Sequence, residues 1–320
     1  MMNKIHEHLS ATKSPVQLVK HFDEVIDKHK IYPMIVQLKH DGVYALQVVQ
    51  GGQSAVYSRT GNLLFSDAVA CVIGDWTKLP DGVYIGELIC PVMSLEELSG
   101  IVSPNRKKAL NAEEISNLMC YGCIRYHDYL TFDELLAGSS DKSYKHRYRQ
   151  LYAHLASANL NELIVESSTV NSYEEIEQIA ERYIAAGLEG VVVKQPDASW
   201  LAGHKGYRAM KIVRGVSLDL RCVGVLYGKG KRADQIAALE FEYKGNKFKA
   251  DLGKGWTDER RAELTKNYEL TFDPHKVHEA EFNPIGKIWE VKALDISSTG
   301  KALRLPKVVR VRWDKDEPDA

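Results

Sequence analysis

Residues 39–42, Lys-His-Asp-Gly, place a primary amine beside a tight turn. A lysine that attacks phosphorus must lose its proton. Because a free lysine side chain has a pKa of about 10.4, a neighbouring cation, a metal ion or burial must lower that value. The apolar residues 34–38 come directly before and predict a strand that ends at the lysine. The pattern predicts that Lys39 is a nucleophile; a surface lysine before a hairpin is the alternative.

Other charged residues farther along the chain are of types that bind phosphate or metal. Arg59 carries a planar, permanently charged group that matches a phosphate, and Glu87 offers a carboxylate to a ribose hydroxyl or a magnesium ion. Residues 189–194, Glu-Gly-Val-Val-Val-Lys, predict a strand with a charge at each end. Because side chains alternate along a strand, Glu189 and Lys194 can face one site only if the chain turns or bulges at Gly190. A strand-edge acid facing solvent is the alternative for Glu87.

Two further segments end in cations. Residues 207–211, Tyr-Arg-Ala-Met-Lys, end at Lys211, and the basic segment 303–315 ends in Arg-Trp-Asp-Lys, with Arg312 and Lys315. For the last segment, a basic edge strand that resists aggregation is the alternative.

Taken in this order, the segments resemble the signature of nucleotidyltransferases that carry a nucleotide on a lysine, in particular ATP-dependent DNA ligases of the short two-domain bacteriophage or viral type. The resemblance implies an α+β fold: a nucleotidyltransferase (adenylation) domain of antiparallel sheets with flanking helices, followed by a small OB-fold β-barrel. It also implies that ATP and Mg²⁺ are the cofactors. Lys39 would carry AMP while the enzyme seals 5′-phosphate, 3′-hydroxyl nicks in double-stranded DNA, with the barrel changing its orientation between steps.

The resemblance also implies roles for individual residues. Gln37 would accept a hydrogen bond from the adenine amino group, Lys194 would bind the α-phosphate, and Tyr126, or alternatively His127, would stack on adenine. The two carboxylates that would serve the metal are Glu87 and Glu189. The residues expected to bind the nucleotide are Gln37, Leu38, Lys39, Arg59, Glu87, Tyr126, Lys194 and Lys211, with Arg312 and Lys315 on the β- and γ-phosphates. A buried core tyrosine is the alternative for Tyr126.

Three positions depart from the family pattern and keep other functions open. Tyr44 stands where an arginine is usual, Ile85 where an aspartate is usual, and Ala209 where the first of two lysines is usual, so that Lys211 acts alone or with Arg208 or Lys205. These changes give some support to a non-catalytic OB-fold nucleic-acid-binding protein. The presence of Lys39, Glu87, Lys194 and Lys211 argues against that alternative. An RNA ligase or a capping guanylyltransferase shares the Lys-x-Asp-Gly core, although the Arg-x-Asp-Lys ending favours a DNA ligase.

Composition limits the class of protein. The chain has 320 residues, 44% of them hydrophobic, which is enough for one large or two modest packed domains. With a net charge of −1, contact with DNA needs local basic clusters, such as those at 106–108, 142–149, 229–232 and 301–315. The odd cysteine count and the polar N-terminus favour the cytoplasm, or the host cytoplasm if the protein is viral. We expect a monomer without a membrane segment.

Periodicity predicts the elements that carry these residues. In the first part of the chain it predicts a helix over 15–29, a strand meander over 33–65, strands over 82–91 and 123–130, and a helix over 172–186 that starts with a capping box at Ser172 and Glu175. Beyond Gly215 the pattern changes to short alternating runs and one helix over 256–267, which suits a small barrel. The expected domains are 1–215 and 216–320.

Overall fold

The computed structural model describes residues 1–73, 78–213, 215–253, 255–293, 295–296, 303–304 and 306–319. The chain forms two compact units, Met1–Val213 and Arg214–Ala320, whose boundary lies beside the expected one at Gly215. Each unit has its own buried apolar core.

In the first unit, the described helices are α1 (Met2–Ala11), α2 (Ser66–Val72), α3 (Leu95–Ile101), α4 (Ala112–Tyr121), α5 (Phe132–Ala137), α6 (Tyr144–Ser157) and α7 (Tyr173–Ala185). Local sequence explains several of the starts. The side chains of Ser94, Asn111 and Thr131 each accept a hydrogen bond from the backbone N–H three residues later. The glutamate at that later position accepts a hydrogen bond from the backbone N–H of the capping residue, which completes a capping box.

The strands of the first unit form two main sheets. They are β1 (Leu18–His21), β2 (Met34–Leu38), β3 (Val43–Gln50), β4 (Gln53–Tyr57), β5 (Gly82–Ile89), β6 (Cys123–Leu130), β7 (Ser139–Ser140), β8 (Ser167–Val170), β9 (Gly190–Lys194), β10 (Trp200–Leu201) and β11 (Lys205–Val213). One sheet has the order β1-β11-β9-β2-β8 and the other β4-β3-β5-β6, mostly with antiparallel neighbours. Helix α7 packs on the first sheet through Ile176 and Ala180.

The expected helix over 15–29 is wrong. Leu18–His21 is instead an edge strand that pairs in parallel with β11, and two short 3₁₀ turns, Phe22–Glu24 and Asp27–His29, follow it. Of the apolar residues that suggested a helix, Val16 and Phe22 are buried, whereas Ile26 is 57% exposed. Strand β11, which lies far along the chain, supplies backbone hydrogen bonds to Leu18–His21 that the local sequence pattern cannot reveal. These bonds favour a strand over the helix that the weak 3.6-residue period suggested.

The helix over 172–186 is confirmed as α7, but its capping differs in one bond. Ser172 Oγ accepts from Glu175 N at 3.3 Å, as expected, whereas the Glu175 carboxylate accepts from the backbone N–H of Asn171 at 3.0 Å. The Glu175 carboxylate therefore bonds to the backbone N–H of Asn171, whereas a capping box would have it bond to that of Ser172.

The second unit is built around a barrel. Its described elements are β12 (Val216–Tyr227), β13 (Ile236–Tyr243), β14 (Asn246–Leu252), α8 (Asp258–Leu270), β15 (Ile288–Ala293), β16 (Asp295–Ile296), β17 (Leu303–Arg304) and β18 (Lys307–Val311). The barrel closes in the order β12-β13-β14-β18-β15. The predicted α+β class with a small C-terminal barrel is confirmed.

The barrel helix begins later than expected because Trp256 is used elsewhere. Its indole Nε1 donates to Val308 O at 3.1 Å, and its ring lies 6.0 Å from that of Trp289 in the barrel core. Thr257 then caps α8 by accepting from Arg260 N at 3.3 Å. Within the described part of the chain, no helix has both the length and the apolar character that a membrane crossing requires.

Candidate active site

A cavity of about 590 Å³ opens between the two sheets of the first unit. Strands β2, β5, β6, β9 and β11 all contribute side chains to its wall, together with the segment before β1 and the turn after β4. The predicted site residues that line it are Gln37, Leu38, Lys39, Arg59, Glu87, Lys194 and Lys211. The fold thus gathers residues that lie far apart in the sequence.

Lys39 sits where β2 ends. Its backbone N–H donates to Gly190 O at 2.9 Å, and its ammonium Nζ lies 2.8 Å from Glu189 Oε2. The Lys39 side chain is 21% exposed, so it stays accessible from the cavity. Gly42 permits this arrangement, since a Cβ at that position would lie 2.5 Å from Leu88 O.

A turn at Gly190 allows Glu189 and Lys194 to lie near the same site, although their spacing along a regular strand would place them on opposite faces. The φ of Gly190, +135°, turns the chain just before β9, and a Cβ there would lie 2.2 Å from Ile212 O. Glu189 therefore does not follow the alternation of side chains along β9, and its carboxylate accepts a hydrogen bond from Lys39 Nζ. Val192 and Lys194, on the strand itself, line the cavity. The turn at Gly190 that this spacing required is present.

We expect Gly190→Ala to lower the free energy of unfolding by about 3 kcal/mol, because the alanine adds both backbone strain and a clash with Ile212 O. Gly187→Ala is a matched control: its φ is +81°, but a Cβ there meets no heavy atom within 4 Å, so only strain of about 1 kcal/mol is added. Urea unfolding followed by circular dichroism measures both. Equal losses in the two variants would contradict the role given to close packing at Gly190.

The two carboxylates near Lys39 differ in environment. Glu189 is buried and ion-paired with Lys39. Burial raises the pKa of Glu87 to about 7, Lys39 opposes the rise, and the negative charge of Glu189 adds to it. Glu87 is therefore near the midpoint of its titration at neutral pH. A bound cation would favour its ionised form.

Lysine and arginine residues outnumber aspartate and glutamate in the wall by six to two. Burial lowers the pKa of Lys211, and repulsion from Lys39 lowers it further. Burial also lowers the pKa of Lys194 to about 8, although Asp128 opposes that shift. Because desolvation disfavours these ammonium groups, a polyphosphate that enters the cavity would gain strong electrostatic stabilisation from them.

Gln37 and His127 line the cavity, whereas Tyr126 is not among the residues that line it. Tyr126 is 1% exposed, lies in the apolar core, and donates its hydroxyl proton to Gln47 Oε1. The assignment of Tyr126 to the base does not fit this position, because its ring lies in the apolar core, while the pairing of β6 with β5 shifts register at His127 and both His127 and Asp128 line the cavity. Of the two aromatic candidates, His127 is the one at the cavity. Burial holds its pKa well below the ordinary value, so its ring is neutral.

A buried ion pair behind the cavity was missed by sequence reasoning. Arg147 Nε and Nη2 donate to Asp128 Oδ1 and Oδ2 at 2.9 and 3.0 Å, and Arg147 is 1% exposed. Arg147 lies in the basic stretch 142–149, where DNA contact was considered, but its charge is already satisfied inside the fold. Asp128 lines the cavity. The one sequence signal for that position is that Asp128 directly follows His127.

The departures from the family pattern also lie at the cavity. Tyr44 and Glu87 are cross-strand partners, and burial raises the pKa of Tyr44, so its hydroxyl stays uncharged. Ala209 pairs with Lys194 across β11 and β9. Of the two helpers proposed for Lys211, Lys205 lines the cavity, while Arg208 donates to Ser199 Oγ at 3.3 Å.

The last predicted motif lies in the second unit and is held by carboxylates. Arg312 donates to Asp314 at 2.9 and 2.7 Å and also to Asp219. Lys315 Nζ lies 2.8 Å from both Asp219 Oδ2 and Asp319 Oδ1. The two cations thus share the buried Asp219.

In the part of the chain that the structure describes, no group of three or more His, Cys, Asp or Glu side chains is arranged to hold a metal ion. A magnesium ion bound through one or two carboxylates takes its remaining ligands from water and substrate phosphates. Glu87 and Glu189 fit that mode of binding.

Comparison with known families matches both units. The family model described as ATP dependent DNA ligase domain matches residues 16–212, which is more than half of the chain. The model described as DNA ligase OB-like domain matches residues 227–312.

Curated relatives are DNA ligases. That of Enterobacteria phage T4 is 26% identical over 345 residues, which covers 95% of this chain and 69% of the phage protein. Those of Methanothrix thermoacetophila and Methanopyrus kandleri are 32% and 31% identical over 50% and 56% of this chain. The chain spans about a third of the length of these two archaeal relatives, 31% and 34%.

Solved structures show the same fold. A Lig E DNA ligase superposes with a TM-score of 0.66 at 18% identity, covering 93% of this chain and 98% of that one. The ATP-dependent DNA ligase of bacteriophage T7 superposes with a TM-score of 0.52 at 18% identity, over 94% and 99% of the two chains. Since the family model covers more than half of the chain and contains every residue of the cavity wall except Lys13 and Ser14, this chain belongs to the family of ATP-dependent DNA ligase domains.

Proposed function

We propose that this protein seals nicks in duplex DNA that carry a 5′-phosphate and a 3′-hydroxyl, through a covalent lysyl-AMP intermediate. The observation that carries the proposal is the position of Lys39: an accessible amine, hydrogen-bonded to Glu189, at the wall of a cation-rich cavity. A nucleophile surrounded by polyphosphate-binding side chains is what in-line attack on ATP requires.

In the first step, Lys39 Nζ bonds to the α-phosphorus of ATP, the bond to the β-phosphate oxygen breaks, and pyrophosphate leaves. The proton that Lys39 must lose would pass to Glu189 Oε2, which lies 2.8 Å from Lys39 Nζ. Lys194 and Lys211 would neutralise the phosphate oxygens, and Gln37 and His127 would hold the adenine. In the barrel unit, Arg312 and Lys315 would bind the β- and γ-phosphates.

Magnesium, held by Glu87 and Glu189 together with phosphate oxygens, would supply charge neutralisation at the reacting phosphate. The pKa of Glu87, about 7, supports this role, because a neighbouring cation favours the ionised carboxylate. Adenylylation that proceeds equally well in excess EDTA would contradict it.

In the later steps, AMP passes from Lys39 to the 5′-phosphate, and the 3′-hydroxyl then displaces AMP as the phosphodiester forms. We propose a monomer in a reducing cytoplasm acting on nicked double-stranded DNA. Phosphate contacts would dominate that binding, so its affinity should fall steeply with salt.

The decisive experiment incubates the protein with α-labelled ATP and Mg²⁺, then looks for label that survives denaturation but not acid. Labelling from ATP and not from GTP, followed by sealing of nicked DNA in preference to nicked RNA, supports the proposal. Labelling from GTP would indicate a capping enzyme, and preferential sealing of RNA would indicate an RNA ligase. No labelling together with retained DNA binding would favour the non-catalytic alternative.

We expect Lys211→Ala to slow adenylylation at least about a hundredfold, which is the scale of losing one charged contact to the transition state. Ala209 occupies the position, two residues before Lys211, where a paired lysine would compensate. Lys205→Ala is the matched control, since Lys205 lines the same cavity, and we expect less than about a tenfold effect. Quenched-flow measurement of AMP transfer to the protein tests both. A larger loss in Lys205→Ala than in Lys211→Ala would reverse the assignment.

A further inference from the structure

Tyr144 on α6 contacts three residues that line the cavity, Gln37, His127 and Lys194. Its hydroxyl oxygen lies 3.0 Å from Gln37 Oε1 and 2.9 Å from His127 O, and its ring centroid lies 4.2 Å from Lys194 Nζ. Tyr144 is 2% exposed and lies behind the cavity wall, so it supports these residues from the protein interior.

The Tyr144 hydroxyl has one proton and two acceptors within hydrogen-bond distance, Gln37 Oε1 and His127 O. Gln37 Nε2 donates to Val165 O at 3.2 Å, so the amide must turn its Oε1 toward Tyr144. His127 O already accepts from Lys194 Nζ at 3.2 Å. Burial raises the pKa of Tyr144 well above its ordinary value, so the hydroxyl keeps its single proton and can donate it to Gln37.

The ring of Tyr144 has a separate contact. The Lys194 ammonium lies over its face, at a distance where the negative face of an aromatic ring attracts a cation. Lys194 is buried, so this contact and the hydrogen bonds to His127 hold an ammonium group that has little access to water. One side chain therefore positions both a residue for the base and a residue for the phosphate.

We propose that Tyr144 is a positioning residue with two separable roles: its hydroxyl fixes the Gln37 amide for recognition of the adenine amino group, and its ring holds Lys194 for the phosphate. This inference rests on the proposed function. It predicts that removal of the hydroxyl changes the choice of base, whereas removal of the ring also changes the rate of AMP transfer.

For Tyr144→Phe, which keeps the ring, we expect KM for ATP to rise about three- to tenfold, the scale of one lost neutral hydrogen bond. KM for inosine triphosphate, which lacks the amino group, should stay unchanged, and so should kcat of adenylylation with ATP. For Tyr144→Leu, we expect the same change in KM for ATP and, in addition, a fall in kcat of about three- to tenfold.

Tyr148→Phe is the matched control. Tyr148 lies one turn along α6 and donates its hydroxyl proton to Val165 O at 2.8 Å, the carbonyl that also accepts from Gln37 Nε2, so its loss tests that shared acceptor and not the bond to Gln37 Oε1. We expect its preference for ATP over inosine triphosphate to stay within about twofold of the unaltered protein. Thermal unfolding of each variant shows whether it is folded at the assay temperature.

A double-mutant cycle gives a readout that a structural role would not move. In a Gln37→Leu background the amide is absent, so Tyr144→Phe should cause no further loss of base preference. An unchanged base preference in Tyr144→Phe alone, in a protein that is labelled by ATP, would overturn the inference and leave the proposed function standing. Absence of labelling in the unaltered protein would overturn the proposed function first, and this inference with it.

Discussion

Lys39→Ala is expected to abolish labelling by ATP. The alanine removes the only atom of residue 39 that can bond to phosphorus, so AMP transfer should fall by more than about ten-thousandfold, or about 5.4 kcal/mol in barrier height. Lys39 is partly exposed, so the core should remain intact, although the buried Glu189 loses its ion-pair partner. The measurement is denaturing electrophoresis after incubation with α-labelled ATP.

Lys39→Arg is the matched control for charge. The guanidinium keeps a positive group beside Glu189 but stays protonated in proteins, so it cannot attack. We expect the same loss of labelling as in the alanine variant. Label that persists in either variant would place the nucleophile elsewhere, with Lys211 on the same cavity as the first candidate to map by peptide analysis.

The double change Arg312→Ala with Lys315→Ala is expected to block adenylylation and spare the final step. Both side chains are assigned to the β- and γ-phosphates, which are gone once Lys39 carries AMP. Adenylylation should fall at least about a hundredfold. Sealing of nicked DNA that already bears the AMP cap, with ATP omitted, should stay within about tenfold of the unaltered protein, below about 1.4 kcal/mol in barrier.

The capped substrate also controls for folding. Both cations pair with the buried Asp219, so their loss leaves a carboxylate without these partners and could loosen the barrel. Retained sealing shows that the barrel is still formed. Arg310→Ala is the matched control, since Arg310 is exposed on β18 and pairs with Glu290, and it should leave both steps unchanged. Collapse of sealing in the double variant alone would mean that Arg312 and Lys315 contact DNA.

The ion pairs around Asp219 bear on how this motif would work. Arg312 and Lys315 are held by carboxylates at 2.7 to 2.9 Å, so phosphates must replace, or share, these partners. Exchange of one anionic partner for another costs less than ordering a free side chain, because the geometry of the cation is already restricted. Asp219 thus keeps the motif in place in the absence of nucleotide.

The sequence by itself predicted the strands and turns that carry Lys39, Glu189 and Lys194, and much of the surrounding fold. Residues 39–42 and 189–194 are contiguous segments whose strands and turns follow from local periodicity, and both appear in the structure where they were predicted. The alternating strands beyond Gly215 likewise predicted the barrel. Such features depend on neighbours along the chain, and for this reason they can be inferred without knowing the fold.

Only the tertiary structure decided which side chains meet. Which of Tyr126 and His127 faces the cavity depends on the face of β6 that the sheet buries, and Leu18–His21 became a strand because β11 offered a free edge. Tyr144 and Gln37, which form a hydrogen bond, are 107 residues apart in the sequence. Arg147 on α6 forms an ion pair with Asp128 on β6. No local pattern encodes these contacts, because their energies arise from burial and hydrogen bonding between segments that only the folded chain brings together.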